Sequence, residues 1–108
     1  MEFKDMYKFS KRAAEELKEI LGYIEEDLCN KRAVADLGRK IFENIDTIRA
    51  FPETGLALNN EFVSDKAVRR VVIDNYVLYY KANEANKTIE IVRIVYGKMN
   101  LEEIYRCI

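Results

Sequence analysis

Apolar positions along the chain change their period twice, and each change marks a new kind of element. Residues Phe3 to Phe9 alternate loosely, with Met6 and Tyr7 between Lys4 and Lys8, and predict a first strand. Ser10 then stands as an N-cap before Lys11-Arg12-Ala13-Ala14, with no capping box because the residue three further on is Ala13. Ala13, Leu17, Ile20, Leu21, Ile24 and Leu28 follow at helical spacing, and Glu15, Glu16, Lys18, Glu19, Glu25 and Glu26 fill the other face. This predicts a helix from about Lys11 to Asp27. Cys29-Asn30 is a short break, and Asn30 caps a second helix striped by Val34, Leu37, Ile41, Ile45 and Ile48. Phe51-Pro52 ends it, since proline disfavours the helical conformation in the residue before it. So short a connection predicts an antiparallel helical hairpin. Gly22 and Gly38 lie inside the helices, where a close helix–helix approach would account for them.

Past Pro52 the period falls to that of strands. Residues 53–66 hold Thr54-Gly55, Asn59-Asn60 and Ser64-Asp65 and predict a loop. Strands are predicted at about Ala67–Ile73, Tyr76–Ala82 and Thr88–Tyr96, joined by Asp74-Asn75 and by residues 83–87, which makes an antiparallel meander. In the last strand Ile91 and Val95 fall on one side and Val92 and Ile94 on the other, so it is expected to be central. The tail from Asn100 to Ile108, with Leu101, Ile104 and Tyr105, has the pattern of a short final helix. The predicted fold is α+β: strand, helical hairpin, three-strand meander, with the hairpin on one face of the sheet.

At 108 residues the chain is one domain, 1–108, and a single proline with four glycines leaves no room for a flexible linker. No apolar run is long enough to span a bilayer, and Glu2 and Asp5 interrupt any signal-type segment, so a cytoplasmic protein is expected. Cys29 and Cys107 lack metal or redox spacing. Histidine is absent, which removes the usual acid–base group at neutral pH and the commonest metal ligand. With no Asp, Glu and Cys cluster at ligand spacing, no metal or cofactor is expected. Eighteen bases against nineteen acids give a net charge of −1, without the basic excess that phosphate-binding proteins usually show.

Several segments together carry a family resemblance. Near the start stand Tyr7-Lys8-Phe9-Ser10, Ala13-Ala14, Glu16-Leu17 and Tyr23-Ile24. A second helix with Ala33, Ala35, Ile41, Ile45 and Ile48 closes on Phe51-Pro52. Arg69-Arg70 precedes Asn75-Tyr76 and Tyr80, and the last strand leaves as Arg93-Ile94-Val95-Tyr96-Gly97-Lys98-Met99-Asn100-Leu101. In order and spacing this resembles the RelE/ParE superfamily, the toxin half of type II toxin–antitoxin pairs, and the resemblance implies the fold above and a cognate antitoxin as partner. Toxins of this superfamily either cleave messenger RNA on the ribosome or poison DNA gyrase.

The departures bear on that choice. Where the RNA-cleaving branch has arginine after its Asn/Gly-Tyr pair this chain has Val77, and two positions after the strand glycine it has Met99 instead of arginine. An apolar side chain cannot stabilise the charge that develops on a scissile phosphate. The run Met99-Asn100-Leu101 is similar to the gyrase-poisoning branch. Lys66, Arg69, Arg70, Arg93 and Lys98 are the candidate contacts to a target or phosphate. A ribonuclease would use Arg69, Arg70 and Lys98 with Tyr105 or Glu61 for proton transfer. Arg69 and Arg70, being adjacent in a strand, point to opposite faces. Arg93, inside an apolar strand, needs either a helix carboxylate or a ligand.

Overall fold

The computed structural model describes residues 7–58 and 67–97. The elements run β1 (Tyr7–Phe9), α1 (Lys11–Gly22) with a π-helical turn (Tyr23–Asp27), α2 (Lys31–Ala50), β2 (Leu56–Ala57), β3 (Val68–Ile73), β4 (Tyr76–Asn83) and β5 (Thr88–Tyr96). They form an α+β fold around one five-stranded sheet ordered β1-β5-β4-β3-β2. The meander is antiparallel as the short turns require, while β1 lies parallel to β5. The residues before Tyr7 and the expected final helix lie outside the described residues.

Both helix starts follow from their caps. The Ala13 N–H donates to Ser10 Oγ at 3.0 Å, and the Ala33 N–H to Asn30 Oδ1 at 3.0 Å. Ala13, Ile24, Leu37, Ile41, Ile45 and Ile48 press onto Ile73, Leu78, Tyr80, Ile89, Ile91 and Ile94 in one buried cluster. Each fully buried aliphatic side chain of this kind contributes about 1.5–3 kcal/mol.

Three details depart from the sequence expectation. The first helix widens at Tyr23, where the Leu28 N–H reaches back five residues to the Tyr23 carbonyl at 3.3 Å. The extra residue per turn rotates Leu28 off the apolar stripe, and it is exposed. Second, the loop after Pro52 contains β2, paired to Arg69 and Arg70 of β3. Third, Gly22 and Gly38 have open space where a Cβ would stand, so no close helix approach explains them.

β5 is central, but its faces are divided differently from simple alternation. The pairing skips Val92, with Tyr79 opposite Arg93 and Tyr80 opposite Ile91. This bulge puts Ile91 and Ile94 together under the helices and leaves Val92 and Val95 with Val68, Val77, Tyr79 and Leu58 in a second cluster. β1 stops opposite Ile91, and α1 covers the β5 edge beyond it. Ser10 Oγ donates to the Val92 carbonyl at 3.0 Å, and the Ile94 N–H donates to Glu16 Oε1 at 3.2 Å. The same carboxylate holds the Arg93 guanidinium through Nε at 3.1 Å and Nη2 at 2.7 Å.

Glu16→Ala removes an acceptor from a buried cation and a backbone donor at once. We expect it to lower stability by about 3 kcal/mol in urea unfolding. Gly38→Ala, filling open space inside a helix, is expected to raise stability by about 1 kcal/mol in the same measurement.

Candidate functional site

Two of the sequence segments that suggested a function, Asn75-Tyr76-Val77 and the β5 exit at Tyr96-Gly97, meet at one end of the sheet. The turn Asp74-Asn75 joins β3 to β4, and Asp74 takes a left-handed φ of 54°. Lys40 of α2 holds its carboxylate at 3.1 Å through both oxygens. The Gly97 N–H, leaving β5, donates to the Asn75 carbonyl at 2.8 Å. A Cβ on Gly97 would lie 3.2 Å from that carbonyl oxygen, a tight approach at the strand exit. Tyr76 and Tyr96, opposite each other across the ladder, meet edge to face at 5.9 Å.

These residues enclose a hollow of about 270 Å³ lined by Val72, Asp74, Asn75, Tyr76, Val77, Tyr96 and Gly97. No cation is among these described lining residues. Val77 is buried against Val95 and Tyr79, so the apolar side chain is part of the packing. The Tyr76 phenol is pushed above its ordinary value by burial first, and then by Tyr96 and Tyr23. A neutral phenol here can donate a hydrogen bond but is not an anionic base near neutral pH.

The candidate cations separate. Arg69 pairs across from Tyr80 on the helix side of the sheet, and Arg70 across from Tyr79 on the opposite side. Arg69 Nη1 donates to the Gly55 carbonyl at 2.8 Å. Arg93 is buried in its ion pair with Glu16, the helix carboxylate that was one of its two expected partners. Glu61, Lys66, Lys98 and Tyr105 lie outside the described residues. Among those described, no group of His, Cys, Asp or Glu is placed to hold a metal, and no helix is long and apolar enough to cross a membrane.

Sequence reasoning missed a latch around Tyr80. Its hydroxyl accepts from the Gly55 N–H at 2.8 Å and donates to the Pro52 carbonyl at 2.8 Å. A Cβ on Gly55 would lie 2.7 Å from both that hydroxyl and the Arg70 carbonyl oxygen, so only glycine fits. The signal in the sequence was Gly55 soon after Pro52, but only the fold brings Tyr80 to it.

A family model described as the ParE toxin of type II toxin–antitoxin system, parDE, matches residues 7–101. No curated protein matches the chain. Among solved structures, a chromosomal ParDE toxin–antitoxin system from P. aeruginosa is similar with a TM-score of 0.67 at 17% identity, covering 89% of this chain and 99% of that one. The toxin–antitoxin complex RelBE2 from Mycobacterium tuberculosis gives 0.58 at 18% identity, over 84% and 88%. An archaeal RelE–RelB complex from Pyrococcus horikoshii OT3 gives 0.58 at 18%, over 90% and 99%. At such identities the likeness is one of fold.

Tyr80→Phe deletes both hydroxyl bonds and is expected to cost about 1–2 kcal/mol near neutral pH. Burial raises the Tyr80 phenol above 10.0, outweighing the Gly55 hydrogen bond and the Arg69 charge, which pull it down. The unfolded chain therefore ionises first. The hydroxyl's contribution is complete below about pH 10 and is lost as pH rises through the raised native value. Thermal melts from about pH 7 to about pH 11 should show a shallower alkaline decline in Tyr80→Phe than in the parent.

Proposed function

Because the chain belongs to the ParE toxin family of type II toxin–antitoxin systems, we propose that it inhibits growth by binding DNA gyrase and is neutralised by a cognate antitoxin. The observation that supports a binding mode of action is the hollow at the sheet end. There the Asn75-Tyr76-Val77 segment meets the β5 exit, and its described walls combine Val72, Val77, Tyr76 and Tyr96 with Asn75 and with Asp74, whose carboxylate is paired to Lys40. A site that cleaves RNA has to place cations where charge grows on the phosphate. Val77 supplies none, Arg93 is turned into Glu16, and Arg69 is held on the helix side of the sheet.

An antitoxin has exposed apolar surface to cover. Tyr7, Phe9 and Phe42 stack in sequence edge to face at 6.2 and 6.4 Å along the β1 edge and α2, and Arg49 lies over the Tyr7 ring at 5.4 Å. Tyr7 and Phe42 stay exposed. An aromatic strip beside an edge strand suits a groove-bound helix or an added strand.

Induced without its antitoxin, the chain should arrest growth, and the purified protein should inhibit supercoiling by purified gyrase. Primer extension on transcripts after induction should show no codon-phased cuts. Such cuts, lost in Arg70→Ala or Tyr105→Phe, would place it with the ribonucleases. Absence of any growth effect would leave a degenerate toxin that keeps only its antitoxin.

A further inference from the structure

Where α2 ends against β3 and β4, the structure holds a cavity of about 280 Å³ whose walls include Phe51, Pro52, Glu53, Arg69, Ala82 and Glu84. Among the described residues its charges are a half-buried cation, Arg69, below two exposed carboxylates, Glu53 and Glu84. Among the described residues only Nη1 of Arg69 makes hydrogen bonds, to the carbonyls of Gly55 at 2.8 Å and Glu53 at 3.5 Å. Neither Glu53 nor Glu84 comes within ion-pair distance of the guanidinium, although both line the same space. The Tyr80 latch on Pro52 and Gly55 fixes the loop that positions Arg69. The guanidinium is therefore preorganised, with part of its five-donor fork still to be used.

We infer that this cavity receives a polypeptide segment carrying both charges: an Asp or Glu side chain on Arg69, with a Lys or Arg side chain between Glu53 and Glu84. The inference rests on the antitoxin-bound toxin proposed above, and the segment belongs to the antitoxin. Charge complementarity selects it. A carboxylate can take two parallel hydrogen bonds from the fork. A cation there meets two carboxylates and the negative end of the α2 dipole. A nucleic-acid backbone fits worse, since its repeating phosphates would face those same carboxylates. Exposed Phe51 offers the segment an apolar neighbour, and Arg49, two positions earlier, already lies over the Tyr7 ring of the aromatic strip.

The test uses the full chain and the product of the neighbouring open reading frame, with affinity read by calorimetry at two salt concentrations. Arg69→Lys keeps a charge that can reach Gly55 but abolishes the fork. It should weaken the complex about tenfold. Glu84→Lys, in the exposed β4–β5 turn, should weaken it by a similar factor and reduce the salt dependence. Melting temperatures of both free variants within a few degrees of the parent would confirm that folding is not the cause. Unchanged affinity in both variants, with the parent still binding tightly, overturns the inference and leaves the toxin reading intact. Antitoxin affinity unchanged while a single-stranded RNA oligonucleotide binds Glu84→Lys more tightly and Arg69→Lys more weakly makes the cavity a phosphate site and overturns it too. A parent that binds no product of the neighbouring frame refutes the antitoxin reading and this inference together.

Discussion

The carboxylate of Glu16 sits where three demands meet. β1 is too short to accompany β5 along its length, so the β5 backbone beyond Ile91 needs other partners. The bulge at Val92 brings Arg93 into a buried position that needs a counter-charge. α1 must also be held over β5 for its apolar stripe to reach the core. Glu16 answers all three by accepting from the Ile94 N–H and from two nitrogens of Arg93. A buried ion pair adds little net stability over a well-packed apolar pair, because desolvation offsets most of the attraction. It does set register, since a slip of one residue would strand the guanidinium without a partner.

That register decides what each face of the sheet can do. With Val92 looped out, Ile91 and Ile94 both serve the helix-facing core, and Val95 joins Val77 and Tyr79 opposite. Arg93 is thereby committed to the scaffold. Of the adjacent arginines of β3, Arg69 lies under the helices and Arg70 on the other side.

The Tyr80 latch shows the same economy on the other side of the molecule. One hydroxyl satisfies both a donor and an acceptor in the chain segment leaving α2, and Gly55 leaves room for it. Arg69 adds a hydrogen bond to the Gly55 carbonyl. The segment from Pro52 to Gly55, which composition marks only as a loop, is therefore tied to β3 through Arg69 and to β4 through Tyr80.

Local signals were enough for much of this fold. Ser10 and Asn30 cap where they stand because a short side-chain oxygen can reach the backbone three residues on, whatever the tertiary structure. The stripe from Leu37 to Ile48 and the limits of β5 are legible for the same reason, since periodicity records which face is buried. Only the tertiary structure decided the rest. The parallel seat of β1 and the bulge at Val92 arise from pairing between segments far apart in sequence, as does the meeting of Tyr80 with Gly55. No window of the chain contains both partners of such a contact. Arg93 shows the division most clearly: its sequence required a partner, but seventy-seven residues separate it from Glu16, and only the folded chain could name that residue.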